Sequence, residues 1–400
     1  VEVPPFEEWL AECPYSQARK EELRTVEANL RGLPPTTRRA SHVDSFPKLE
    51  SYPEYKEARW INSRSDEFKV YSGPAFKAIE SELYKHKQFI KHVPVPDRPA
   101  LIRALRRDGL HYYENDFKAF ESHFKHEVMR VLECRLYMHA LRRYPALARY
   151  ICKTITGINR LHTRAGVRIN LRARRMSGDM CTSLGNGFSN LMLALYIAYL
   201  KKGHLDGFVE GDDGIFATDF EMSAQDYLNL GFNVEIGEVA DPCLAHFCGM
   251  TMTDDGTIIK DPRRVFQTFG WTSSNINAGS KVIDELLRAK ALSLAYELPQ
   301  CPILGMLARV ALDLTDGCAA RAEQTYRPVP ESFLITAFSP SEAAREMMAR
   351  LFHIDREVQL AAEEAIQRHD LCEVARLIPS IGAKSGLDIH TYYQQYVEYG

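Results

Sequence analysis

Three aspartates stand out for the chemistry they could share. Asp212 and Asp213 fall between glycines in Gly211-Asp212-Asp213-Gly214, and Asp116 closes an apolar and aromatic run. Hard divalent cations take oxygen ligands, and phosphoryl transfer assisted by two metals needs carboxylates converging from separate parts of a chain. A tight turn projects successive side chains from rigid strands, so Asp212 and Asp213 supply one side of such a site and Asp116 the other. Taken alone, Gly-Asp-Asp reads first as a plain hairpin tip, because Asp and Gly are ordinary turn residues.

The elements that must position these residues follow from hydrophobic periodicity. Residues 110–116 predict a strand and 122–143 a helix. A second helix over 186–201 is apolar around most of its circumference and is expected in the core. Strands at 207–210 and 215–218 flank the turn through 211–214 and make a hairpin. A helix at 223–230, a strand at 232–236 and a second hairpin within 245–259, turning at Asp255-Gly256, come next. Beyond about residue 280 the pattern is helical, and Ser339-Pro340-Ser341-Glu342 carries a helix-start signature. The prolines of the first hundred residues (Pro34, Pro35, Pro47, Pro53, Pro74, Pro94, Pro96 and Pro99) predict an irregular region of loops and short elements.

With 400 residues, 45% hydrophobic and 26% charged, the chain can bury a full core divided over two or three subdomains. A net charge of -3 excludes a protein held to nucleic acid by a uniformly basic surface. Any contact with nucleic acid must be local. The stretch 152–176 offers one, with seven basic residues (Lys153, Arg160, Arg164, Arg168, Arg172, Arg174 and Arg175) and no acidic one. A solvated charge run is the plain alternative, but the lack of carboxylates favours a phosphate-facing surface. Nine cysteines without a C-x-x-C pair fit neither a disulfide framework nor a structural zinc site, which points to a reducing compartment. No paired histidine spacing suggests zinc. The most apolar stretch, 191–200, is closed by Lys201 and Lys202 and is about half the ~20 residues that cross a bilayer. The acidic, proline-containing start does not read as a signal peptide.

Between the candidate carboxylates lies Ser177-Gly178-Asp179-Met180-Cys181-Thr182-Ser183-Leu184-Gly185-Asn186, a polar loop opening into the apolar helix. The order of an aspartate on a strand, then S-G-x-x-x-T-x-x-x-N, then G-D-D resembles motifs A, B and C of viral RNA-dependent RNA polymerases. The wording is most similar to the tombusvirus and nodavirus-like branch of positive-strand RNA viruses. The resemblance implies Asp116 as the motif A metal ligand, Asp212 as its motif C counterpart and Asp213 as a weaker neighbour. It implies Ser177 and Gly178 in a loop that follows template and incoming base, with Thr182 and Asn186 facing the nucleotide sugar. Glu121 stands where the family usually has a second aspartate that helps to read the 2′-hydroxyl. Upstream, residues 59–65 with Lys69 and Lys77 resemble motif F, implying that Arg64 touches the triphosphate with Arg59, Lys69 and Lys77 near it; scattered surface cations are the plain alternative. His246-Phe247-Cys248-Gly249-Met250 is similar to motif E beside the product 3′ end, implying RNA contacts at Cys248 and Gly249, although a buried apolar strand explains it equally well. The motif D stretch, 231–237, departs from the family in having no lysine to serve as general acid. The C-terminal Tyr392, Tyr393, Tyr396 and Tyr399 could stack on RNA but read more simply as packing residues.

The resemblance implies an α+β right-hand polymerase with an antiparallel-sheet palm and a mainly helical thumb. Fingers would take 1–109 and 152–176, the palm 110–151 and 177–265, and the thumb 266–400. It implies RNA-dependent RNA synthesis by two-metal nucleotidyl transfer with Mg²⁺ or Mn²⁺. Expected partners are template and product RNA, ribonucleoside triphosphates, and viral or host proteins of a membrane-associated replication complex in the host cytoplasm. A reverse transcriptase shares such a palm, but usually shows an aromatic residue before the paired aspartates and lacks the 177–186 loop. A non-catalytic RNA-binding scaffold would have no need of all three aspartates.

Overall fold

A computed structural model describes residues 1–48, 57–272, 275–321 and 337–378. Eight strands, β1 (His42–Pro47), β2 (Trp60–Arg64), β3 (His111–Phe117), β4 (Ile158–Thr163), β5 (Arg168–Arg172), β6 (Leu205–Glu210), β7 (Asp213–Thr218) and β8 (Val234–Val239), make two four-stranded sheets. Their orders are β2-β1-β4-β5 and β6-β7-β3-β8. Both lie in a unit formed by Val1–Lys48, Ala58–Pro94 and Ala104–Cys248.

The second sheet is antiparallel throughout and has β3 between β7 and β8. Alternation along β3 sends Tyr113, Asn115 and Phe117 inward, each 5% exposed or less, and Glu114 and Asp116 to the opposite face. The inward face meets the helices Thr182–Lys201 and Ala224–Asn229. Phe117 stacks on Phe120 at 4.0 Å and meets Tyr227 edge-on at 5.7 Å, with Phe232 beside them. This aromatic layer is what anchors the end of β3 that carries Asp116.

Three expectations need correction. The single helix expected over 122–143 is a 3-10 turn, Phe120–His123, followed by helices His126–Val131 and Glu133–Ala140. The chain bends at Leu132 (φ -96°, ψ -94°), and Glu133 enters the next helix with its carboxylate turned into the core against Arg175. The helix Thr182–Lys201 is buried over its first part, yet Leu195, Tyr196, Tyr199 and Leu200 are exposed in its last turns. The first hundred residues are more regular than their prolines suggest, with helices Gln17–Leu30 and Asp66–Leu83. The latter is capped by Ser65, whose side chain accepts from the Phe68 amide, and has Asp66 and Glu67 in its first turn. It tolerates Pro74, and beside that residue Gly73 leaves room for the Trp9 ring, which a Cβ would meet at 2.5 Å.

The second unit contains Val95–Arg103 and the described residues from Gly249 onward. Its short hairpin of β9 (Thr251–Met252) and β10 (Ile258–Ile259) turns through Gly256, where φ is +89°. Helices then dominate: Ser280–Glu297, Leu304–Leu314, Glu342–Phe352, Arg356–Gln367 and Leu371–Leu377. Ser341, within the segment that carries the helix-start signature, caps the third of these by accepting from the Ala344 amide. A buried pair, Arg345 and Glu363 at 3.0 Å, joins two of them. Tyr392, Tyr393, Tyr396 and Tyr399 lie outside the described residues. No helix among the described residues is long and apolar enough to cross a membrane.

Candidate active site

The hairpin of β6 and β7 pairs Glu210 with Asp213, leaving only Gly211 and Asp212 in the loop. This turn is tighter than the four residues expected, and it needs a left-handed first residue, which Gly211 provides at φ +66°. On the other side β3 pairs Asn115 with Gly214, so one step further along that register Asp116 comes beside Asp213. Asp116 in turn pairs with Glu235 of β8. Glu210, Asp213, Asp116 and Glu235 therefore form a row across four strands, on the face opposite Phe117. Directly opposed side chains on antiparallel strands have Cβ atoms about 5 Å apart, and like charges there repel. At one end of the row Glu235 pairs with Lys118 at 2.5 Å.

The electrostatics register this crowding. Burial, followed by the charges of Asp212, Asp116 and Glu210, raises the Asp213 carboxyl to about 7. Burial also raises Asp212, with Glu121 adding to the rise and Arg59 opposing it. The structure thus gathers Asp116, Asp212, Asp213, Glu121 and Arg59 around one hairpin tip. It adds Glu210, which the sequence reading missed because a single glutamate before a glycine carries no signal of its own. Among the described residues no three acidic, histidine or cysteine side chains form a ready-made metal cage.

The loop before the long helix is fixed against β2. The Gly178 amide donates to the Asn62 carbonyl at 2.9 Å, the Ser177 hydroxyl donates to the Trp60 carbonyl at 2.9 Å, and the Asn62 amide donates to Ser177 Oγ at 3.2 Å. A Cβ on Gly178 would stand 3.0 Å from the Asn62 carbonyl oxygen, which explains a glycine at this close approach. Thr182 is spent locally, its hydroxyl donating to the Met176 carbonyl at 2.8 Å. Asn186 is 4% exposed, and its Oδ1 has no hydrogen-bond partner. One turn later Asn190, absent from the sequence reading, accepts from Asn115 at 2.8 Å and donates to the Asp212 carbonyl at 3.0 Å. It ties the helix, β3 and the hairpin tip together.

Two basic residues have other work than the sequence suggests. Arg64, 4% exposed, donates to both oxygens of Asp179 at 3.0 to 3.1 Å and to Asn159 at 2.8 Å, and lies over the Phe68 ring. Its donors are turned into the protein, so the expected triphosphate contact does not fit its position. Arg175, 3% exposed, pairs with Glu133 at 2.7 Å and covers the Phe124 ring, so it belongs to the core and not to an RNA-facing surface. Gly185 makes space for it, since a Cβ there would fall 2.4 Å from the guanidinium.

The remaining candidates are dispersed. Lys69 pairs with Asp66 at 3.1 Å, and Lys77 stands 4.0 Å from Glu80; no contact joins either to the aspartates among the described residues. Arg164, Arg168 and Arg172 are exposed on or beside β5, Arg160 is half-buried on β4 with Ser41 as a partner, and Arg174 is half-buried with a left-handed backbone. Cys248 (φ +54°) and Gly249 (φ +71°) are both left-handed, so this segment turns where a buried apolar strand was the alternative reading. The Cys248 thiol faces Glu210 at 3.7 Å.

Comparison with known proteins agrees with this arrangement. The family model described as viral RNA-dependent RNA polymerase matches residues 67–302, well over half of the 400-residue chain. The chain therefore belongs to the viral RNA-dependent RNA polymerases, and it is an RNA-directed RNA polymerase, a nucleotidyltransferase of viral RNA replication. Divalent metal ions are general in this family. No curated protein matches the sequence significantly.

Proposed function

We propose that this polymerase copies viral genomic RNA with its reaction centre at the tip of the β6–β7 hairpin. The observation that carries the proposal is the shared register of Asp116 and Asp213, with Asp212 at the turn between the strands. The donor set fits hard cations: it is all carboxylate, and the raised Asp213 carboxyl marks negative charge that a cation would relieve. Asp116, Asp212 and Asp213 would hold Mg²⁺ or Mn²⁺. A bound pair of such ions supplies Lewis-acid stabilisation to the attacking and leaving oxygens of nucleotidyl transfer.

The protein's own groups position the reactants. Asn190 fixes the hairpin tip through the Asp212 carbonyl. Arg59, whose charge acts on Asp212, takes the triphosphate role that Arg64, with its donors spent on Asp179 and Asn159, does not fill. Asn186 offers an unpaired buried Oδ1 that can accept from a ribose 2′-hydroxyl, with Glu121 beside the tip. Ser177, Gly178 and Thr182 shape the loop, and Arg64 acts through Asp179 to hold it. No side chain is assigned as general acid, since Lys118, the lysine adjoining β8, is paired with Glu235.

In this reading the fingers span 1–109 and 152–176, the palm 110–151 and 177–265, and the thumb 266–400. Exposed Arg164, Arg168 and Arg172, with Arg160 and Arg174, serve template RNA, and Cys248 and Gly249 lie near the product end. The closest motif wording, M-S-G-D-M-x-T-x-L-G-N, supports a tombusvirus or nodavirus-like origin. Work in a membrane-associated replication complex of the host cytoplasm, with viral or host partners, completes the proposal. Primer extension on an RNA template with Mg²⁺ tests it: Asp212→Ala loses incorporation, whereas equal incorporation by the variant and the unmodified protein removes the site.

A further inference from the structure

The sheet β2-β1-β4-β5 has one face turned to solvent. Register puts His42, Asp44 and Phe46 of β1 on that face with Arg160 and His162 of β4, because β1 and β4 pair His42 with Arg160 and Asp44 with His162. It adds Arg168 and Arg172 of β5, which pair with His162 and Ile158. Both arginines are exposed, as is Phe46 at 42%. Across the strand boundary the imidazoles of His42 and His162 stack, with centroids 4.2 Å apart and planes 14° from parallel. The His42 side chain is 46% exposed. Burial, followed by the charges of His42 and Arg168, holds His162 below the ordinary histidine range, so the pair need not carry two like charges.

We infer that this face is a platform for single-stranded RNA, with the His42–His162 stack receiving bases and Arg160, Arg168 and Arg172 receiving phosphates. Flat rings set among guanidinium groups are what a flexible strand with splayed bases can use, whereas a duplex shows only its backbone to such a face. The three strands carrying these groups span about 10 Å, a width that suits two or three nucleotides. Among the described residues of these three strands the carboxylate on this face is Asp44, and it lies 3.5 Å from His42. The inference deepens the proposed RNA-binding role of the arginines by adding two residues and a strand class. It stands apart from the hairpin-tip chemistry.

The test measures binding, not synthesis, on the full chain carrying Asp116→Asn. A fluorescein-labelled single-stranded RNA of about ten nucleotides and its duplex are titrated against this protein at several salt concentrations. His42→Ala with His162→Ala is expected to weaken single-strand binding about five- to tenfold, with the salt slope and the duplex affinity unchanged. Arg168→Gln with Arg172→Gln should reduce the single-strand salt slope by about 1.4, at roughly 0.7 per phosphate contact. A 5-iodouridine oligonucleotide should photocrosslink to the peptides holding His42 or His162. Unchanged single-strand affinity in the histidine variant, or equal losses for single strand and duplex, would overturn the inference. Neither outcome bears on whether Asp116 is catalytic, which primer extension decides separately.

Discussion

The guanidinium of Arg64 grips both carboxylate oxygens of Asp179, and the two side chains are only 2% and 4% exposed. The contact joins β2 to the loop that precedes the long helix, 115 residues later in the chain. It converts a residue that reads as a ligand contact into part of the frame.

That relationship predicts matched losses. Removing one partner of a buried pair strands the other, at a cost of about 3–5 kcal/mol. Arg64→Ala and Asp179→Ala should each lower stability in urea by that order, and the double variant should lose less than their sum. If Arg64 met the triphosphate, Arg64→Ala would raise the nucleotide KM and leave stability intact.

Gly185 gives a prediction whose sign is unusual. In a helix interior, Gly→Ala ordinarily stabilises by about 1 kcal/mol. Here the new Cβ would fall 2.4 Å from Arg175, so Gly185→Ala should destabilise by about 1–3 kcal/mol through overpacking. Denaturant unfolding measures it, and a gain in stability would show that the buried pair of Arg175 and Glu133 yields without cost.

Much of this frame was legible in the sequence, and what was not has a common cause. The strand carrying Asp116, the hairpin and the helix after residue 186 follow from local periodicity and turn chemistry, which act within a few residues. The partners of Arg64 and Arg175 are distant in the chain, and a charge has the same letter whether it faces a phosphate or a buried carboxylate. Asn190 was invisible for the same reason, since only the packing of its helix brings it to the hairpin tip, whereas Glu210 sits beside the turn but reads as any other glutamate. Prolines misled over residues 66–83 because Pro74 is housed within a helix that Trp9 and the core hold in place.

The Asp213 carboxyl sets a pH dependence. Its folded pKa, about 7, lies above the usual carboxylate range. An acid shifted in this direction costs no stability below about pH 4, and the cost grows as pH rises through the folded value. The metal-free protein should therefore lose stability at this site between about pH 4 and pH 7, and added Mg²⁺ should restore more of it at the upper end. Thermal unfolding with and without Mg²⁺ measures the effect. Asp213→Asn should flatten it, and an unchanged pH profile in that variant would assign the dependence elsewhere.

In the proposed site Asn186 carries the choice of sugar. A buried acceptor without a partner favours a substrate that supplies a donor, and a substrate lacking it leaves the group unpaired. Asn186→Ala should cut the preference for ribonucleotides over deoxyribonucleotides by about tenfold or more. Competing incorporation of the two on one template reads the ratio directly, and a preserved ratio would leave Glu121 as the determinant.

The most direct measurement is the anomalous scattering of Mn²⁺ in crystals grown with a non-hydrolysable ribonucleoside triphosphate. The account predicts manganese bound by Asp116 together with Asp212 or Asp213, in a pair about 4 Å apart. Manganese found only at other carboxylates, with Asp116 turned away from the hairpin, would contradict it.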